Sequence, residues 1–316
     1  MRGVRRARAL PLLLAAAAAG GCGDLGRGGG GAAADPGFDL VFYSDRSGRG
    51  DLFLISSNDF RTGRFSPRRL VGTPLPDYAP RWVPDGPGLV FLTRVEDPPG
   101  LYGLAPDADG ISLRLAEAPS GEDPPALTPD GTTLVYAAPT AEGSADLFAR
   151  PLAGGAERRI TTDGAPKAQP EVSPDGAWVV YTRGPAGAED LMLARLDGTE
   201  TRVLTEGPAS DGNPVWLRDG SGILFDSDRT GLGTDVFHLD LESGVIRNLT
   251  NSRTADMVPD PSPDGAWVAF ASSRGGSWDI YVMPMGGGAA RQVTSETSFE
   301  GAPRWVAPGV FQFPGG

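Results

Sequence analysis

Residues 170–183, PEVSPDGAWVVYTR, decide how the chain folds. A proline opens a short stretch, a Ser-Pro-Asp-Gly turn follows, and a run rich in β-branched and aromatic residues leads back. Asp-Gly supplies the positive φ of a tight turn, so Asp175-Gly176 reads as the tip of a β-hairpin. The same hairpin recurs along the chain. Its turn aspartates are Asp85, Asp130, Asp175, Asp219 and Asp264, at steps of 45, 45, 44 and 45 residues, and Val306-Ala307-Pro308-Gly309 is a degenerate sixth copy. A strand-built repeat of about 45 residues predicts a β-propeller with one blade per repeat.

Two more strand signals complete each unit. A third strand opens on aspartate (Asp51, Asp146, Asp190, Asp235, Asp279), and a fourth ends in an Arg-x-Leu-Thr-like sequence, as in RRITT, TRVLT and IRNLT. The expectation is an all-β, six-bladed propeller of four-stranded antiparallel blades over residues 38–316. The chain enters at a second strand, Phe38 to Ser44, and the last first strand, Ala302 to Val306, returns to pair with it and close the ring. Closure removes the exposed sheet edges that template aggregation. Val310-Phe311-Gln312-Phe313 reads as a further second strand, an add-on outer segment competing for the place of Leu40-Val41-Phe42-Tyr43.

Composition agrees with a turn-rich β fold. The 316 residues include 46 Gly and 30 Pro, while 40% hydrophobic and 22% charged residues leave enough apolar surface for a core. Wholesale disorder, collagen and long helical bundles are excluded. The formal net charge is −12 and Lys167 is the only lysine, so nucleic acid is a poor partner and a basic peptide or a cation a better one.

The amino terminus reads as an address. Residues 1–8 are basic, residues 9–19 are apolar, and Gly20-Gly21-Cys22 follows, the order of a secretory signal. The apolar run is too short to span a bilayer. Small residues directly before Cys22 resemble the lipobox of bacterial lipoproteins, which implies cleavage of residues 1–21, acylation of Cys22 and a membrane anchor. The alternative is a secreted protein with an incidental cysteine. Residues 22–37 are a Gly/Ala-rich tether of about 20 Å r.m.s. length. By the same resemblance Gly23, with Asp24 only one place later, lacks the usual inner-membrane retention signal, and the outer membrane is favoured.

The repeats resemble those of TolB-type propellers, close to P-x-W-S-P-D-G, an apolar strand ending in Ser-Asp-Arg, then Asp-Ile-Tyr and Leu-Thr. Ser44-Asp45-Arg46 and Ser227-Asp228-Arg229 supply the second of these elements. TolB itself carries an α/β domain before its propeller, and this chain is expected to have only the tether. The lipobox, the tether and a body without a catalytic motif make the expected role a periplasm-facing or surface, membrane-tethered envelope lipoprotein, monomeric because a closed ring needs no second copy, whose propeller binds or scaffolds an envelope protein.

Three residues before each repeat proline stand Asp77, Glu122, Lys167, Asp211, Asp256 and Glu300. First strands line a propeller's channel, so these six form a collar at one mouth. Such a ring of oxygens suits a basic peptide end or a cation, calcium being the natural candidate. The competing expectation is that each carboxylate caps the turn entering its strand, with no metal and no cofactor. Arg81, Glu171, Asp260 and Arg304, just after the prolines, are mixed in sign and suggest no coherent site. Trp82, Trp216 and Trp305 read as packing between blades, as do Trp178 and Trp267. His238, the only histidine, falls in a regular strand. With no G-x-S-x-G, H-E-x-x-H or Walker pattern, catalysis is not expected. The alternative function is a glycan- or peptide-binding sensor or enzyme using the acidic mouth.

Overall fold

The computed structural model describes residues 35–73, 76–83, 88–93, 100–104, 113–117 and 124–311. The signal, Cys22, most of the tether, Glu122, the Asp85-Gly86 turn and Gln312-Phe313 lie outside the described residues. The chain divides into two units, 1–34 and 35–316. The second is built of strands β1 (Asp39–Ser44), β2 (Asp51–Ile55) and β3 (Arg68–Val71), with a short helix α1 (Ser57–Thr62) between β2 and β3. There follow β4 (Asp77–Val83), β5 (Gly88–Thr93), β6 (Gly100–Leu104) and β7 (Leu113–Glu117), then β8 (Ala126–Leu127), β9 (Thr133–Pro139), β10 (Ala145–Pro151) and β11 (Arg158–Arg159). The remaining strands are β12 (Lys167–Val172), β13 (Trp178–Arg183), β14 (Asp190–Arg195) and β15 (Thr201–Val203), β16 (Asp211–Trp216), β17 (Gly222–Ser227), β18 (Asp235–Asp240) and β19 (Ile246–Asn248), and β20 (Asp256–Pro261), β21 (Trp267–Ser272), β22 (Asp279–Pro284), β23 (Arg291–Gln292) and β24 (Glu300–Val306).

These pair into six four-stranded antiparallel sheets, each an up-and-down meander of consecutive strands except the first, whose order is β24-β1-β2-β3. There β24 returns to pair with β1, Leu40 opposite Trp305 and Ser44 opposite Glu300, so the ring closes as expected. Asp39 fastens the seam: its two carboxylate oxygens accept from the backbone N–H of Ser57 at 2.6 Å and of Gly309 at 2.8 Å. The anticipated further strand differs. Val310 and Phe311 form a bend after the Pro308-Gly309 turn, because β24 already occupies the free edge of β1, and Phe311 packs edge-on against Trp82 at 6.1 Å between ring centres.

The Asp-Gly turns form as the sequence indicates. Gly131, Gly176, Gly220 and Gly265 have φ of 69°, 70°, 74° and 70°. The preceding aspartates accept the N–H two residues on, as Asp175 does from Ala177 at 3.0 Å. Strand alternation then explains the core. Leu40 and Phe42 pack with Ala269, Ile280 and Val282 of one neighbouring blade, while Val41 packs with Leu89 and Phe91 of the other. Both faces of each middle strand are covered, which is why these strands read as unbroken apolar runs rather than alternating ones. Six such clusters, each shared by adjacent blades, hold the ring together.

Candidate functional site

The inner strands run from the collar end of the channel to the Asp-Gly turns at the other. Asp77, Lys167, Asp211, Asp256 and Glu300 are each the first residue of an inner strand, as the spacing indicates, and all five are buried. Their charged groups are engaged inside the protein. Glu300 pairs with Arg46. Asp211 takes Arg229 through both oxygens at 2.7 and 2.8 Å, and Asp256 takes Arg274 at 2.5 Å. Those three arginines are the ends of the Ser-Asp-Arg-like elements. Each donates its Nε to the serine two residues back, Arg46 to Ser44, Arg229 to Ser227 and Arg274 to Ser272, and each lies against two stacked or tilted rings. Arg229 is 5.0 Å from the ring centres of both Phe225 and Phe237.

Two collar positions lack such an arginine and solve the problem differently. Asp77 accepts from the backbone N–H of Thr73 at 2.8 Å and its hydroxyl at 2.9 Å, and burial pushes its carboxyl above the ordinary range. Lys167 reverses the sign and pairs with Asp163 and with Asp146, the latter at 2.8 Å. Among the described residues no three His, Cys, Asp or Glu side chains gather as metal ligands would.

Two residues beyond the collar the backbone becomes unusual. Ala79, Gln169, Asn213, Val258 and Ala302 have φ of 54°, 51°, 47°, 53° and 49°, each at a bulge in the pairing of its inner strand. The left-handed region is costly for alanine and more so for β-branched valine. Each of these residues also precedes a repeat proline, which narrows its choices further. Pro124 holds the sixth equivalent position. Together the six line a cavity of about 500 Å³ inside the channel.

One arc of its wall is polar. Gln169 Oε1 accepts the Asn213 N–H at 2.8 Å, and Asn213 Nδ2 donates to Asp226 Oδ2 at 2.9 Å. The same Asp226 oxygen accepts the Val258 N–H at 2.8 Å, so one buried carboxylate fixes two of the strained residues. Burial raises its pKa to about 6. The opposite rim is aromatic: Phe299, 45% exposed, stands 5.9 Å from Tyr43 and 6.1 Å from Trp278.

The floor corrects the sequence reading. Arg81, Glu171, Asp260 and Arg304, which suggested no coherent site, converge. Arg81 pairs with Glu171 from two blades away across the channel, and Arg304 Nη1 lies 3.8 Å from Asp260 Oδ1. Asp260 Oδ2 accepts the Trp305 N–H at 2.8 Å. The tryptophans behave as packing residues: Trp305 is fully buried and Trp216 donates its Nε1 to the Glu171 carbonyl at 3.1 Å. His238 sits in β18 opposite Arg247, its pKa lowered by burial, and among the described residues its buried Nε2 has no hydrogen-bond partner.

Residues 68–231 match the model of the TolB beta propeller domain. The chain belongs to that family. It is 31% identical over 119 residues to the Tol-Pal system protein TolB of Anaeromyxobacter dehalogenans, an alignment covering 38% of this chain and 27% of that protein. The chain thus spans about a quarter of the length of the TolB relatives it matches. The crystal structure of TolB from Acinetobacter baumannii superposes with a TM-score of 0.71 at 19% identity, over 86% of this chain and 67% of that one. An oligogalacturonate lyase in complex with manganese shares the fold with a TM-score of 0.58 at 20% identity, over 82% and 74% of the two chains.

Proposed function

We propose that this protein is a membrane-tethered lipoprotein of the cell envelope whose propeller is a protein-binding or scaffold module, its partner entering the cavity at the collar end of the channel. The observation that carries this reading is the cavity itself, with all six repeats converging on one aromatic-rimmed, strained bowl whose wall is apolar apart from the Gln169–Asn213 arc and the arginines of its floor. Backbone strain that surrounding contacts maintain concentrates at binding sites. Membership of the TolB propeller family supports an envelope protein as partner, because the matched relatives include Tol-Pal system proteins. The lipobox-like Gly20-Gly21-Cys22 and the tether support the anchor, with the outer membrane as its seat.

A catalytic or glycan-sensing role for the collar has less support. Its described carboxylates already answer a cation or hydroxyl inside the protein, which leaves them poorly placed to act as a free acid and base or to coordinate calcium. Mild cross-linking of intact cells, followed by mass spectrometry of what is captured, tests the proposal. The expected result is a reproducible envelope protein, with Cys22→Ser releasing the propeller from the membrane fraction. Capture of no protein, or of a saccharide in its place, would overturn it.

A further inference from the structure

The charge on the cavity floor has the opposite sign to the chain. Among the described residues that line it are two guanidinium groups, those of Arg81 and Arg304, and no aspartate or glutamate side chain, in a protein of net charge −12. A guanidinium offers five donors in a planar fork. Arg81 gives Nη1 to Glu171, while its buried Nε has no hydrogen-bond partner. Arg304 donates Nη1 to the Pro303 carbonyl at 2.8 Å, and at 3.8 Å its approach to Asp260 is too long for a hydrogen bond. A buried cation that is incompletely answered is costly, and a carboxylate is the group that fits a guanidinium fork.

We propose that the cavity floor is a carboxylate-binding subsite, where Arg81, backed by Arg304, receives an acidic group of a peptide whose apolar side chains lie beneath the aromatic rim. This deepens the protein-binding reading above and rests on it. A peptide fits the walls better than a saccharide does. Ala79, Val215, Met257, Val258 and Ala302 present apolar surface, and Gln169 and Asn213 are committed to each other and to Asp226. The hydroxyls of a sugar would lose water there without finding partners. The subsite also reverses the expectation that an acidic protein takes a basic ligand, since a concave site obeys its own local charges.

The test uses the purified full chain and a library of acetylated, amidated hexapeptides in which Asp and Glu positions are matched by Asn and Gln versions. The bound peptides are expected to carry an acidic residue, and amidating it should weaken binding by about 10- to 100-fold. Arg81→Gln should cost as much, and Glu171→Gln, which removes the internal competitor, should tighten binding. Should R81Q fail to fold, the paired R81Q/E171Q variant removes both charges and must still lose the acidic peptide. Selection of peptides without an acidic residue, or affinity indifferent to Arg81, would overturn the subsite and leave the protein-binding reading standing. Failure of every hexapeptide, with oligogalacturonate bound through Arg81 instead, would overturn both.

Discussion

At the residue scale four of the five described collar residues, all but Asp77, are in buried ion pairs, and the arginines among their partners matter through stacking as well as charge. Removing Arg229 would leave Asp211 buried without its partner, so Arg229→Ala should cost about 3–5 kcal/mol. At roughly 2–4 °C per kcal/mol for a domain of this size, melting should fall by about 6–20 °C. Arg229→Ala with Asp211→Asn should cost clearly less than the two changes summed, which thermal melts of the four proteins check. Asp226 makes a second prediction. Its folded pKa of about 6 lies above the ordinary aspartate value of 3.8, so the folded state holds the proton more tightly. The stability this proton contributes is complete below the unfolded pKa and is lost as pH rises through about 6. Relative to Asp226→Asn, the natural protein should lose up to about 3 kcal/mol between pH 4 and about 7. Parallel denaturant titrations measure the difference, and a difference independent of pH would count against the assignment.

At the element scale the inner strands combine what the sequence declares with what it conceals. The hairpins were legible because Asp-Gly, proline and alternating apolar residues each mark local geometry, and their period gave the blade count. The left-handed bulge was not. Asn213 alone among the five carries a side chain that favours positive φ; Ala79, Val258 and Ala302 announce nothing. The convergence of Arg81 and Glu171 was equally hidden, since residues two blades apart meet only when the ring is closed. Ala302→Gly tests the strain directly. Removing the left-handed penalty should raise stability by about 0.5–1 kcal/mol, against the usual cost of glycine in a strand. Ala269→Gly, in the regular strand β21, should lower it, and paired melts of the two variants separate the cases.

At the scale of the whole molecule, ring closure is what creates the site. Strand β24 brings Arg304 and Ala302 into the channel and Glu300 to Arg46 only because it pairs with β1. The closed ring then has two unlike faces: one carries Phe299 and the cavity mouth, the other carries the Asp-Gly turns and the exposed Val245, 59% accessible. The overall negative charge is readable from composition, while the floor of the cavity follows its own two arginines, Arg81 and Arg304. The most direct measurement is site-specific photo-cross-linking in living cells, with the photoreactive residue placed at Phe299 in one strain and at Val245 in another. The account predicts capture of a defined envelope protein from Phe299, lost with Arg81→Gln, and none from Val245. Capture from Val245 with nothing at Phe299 would contradict it.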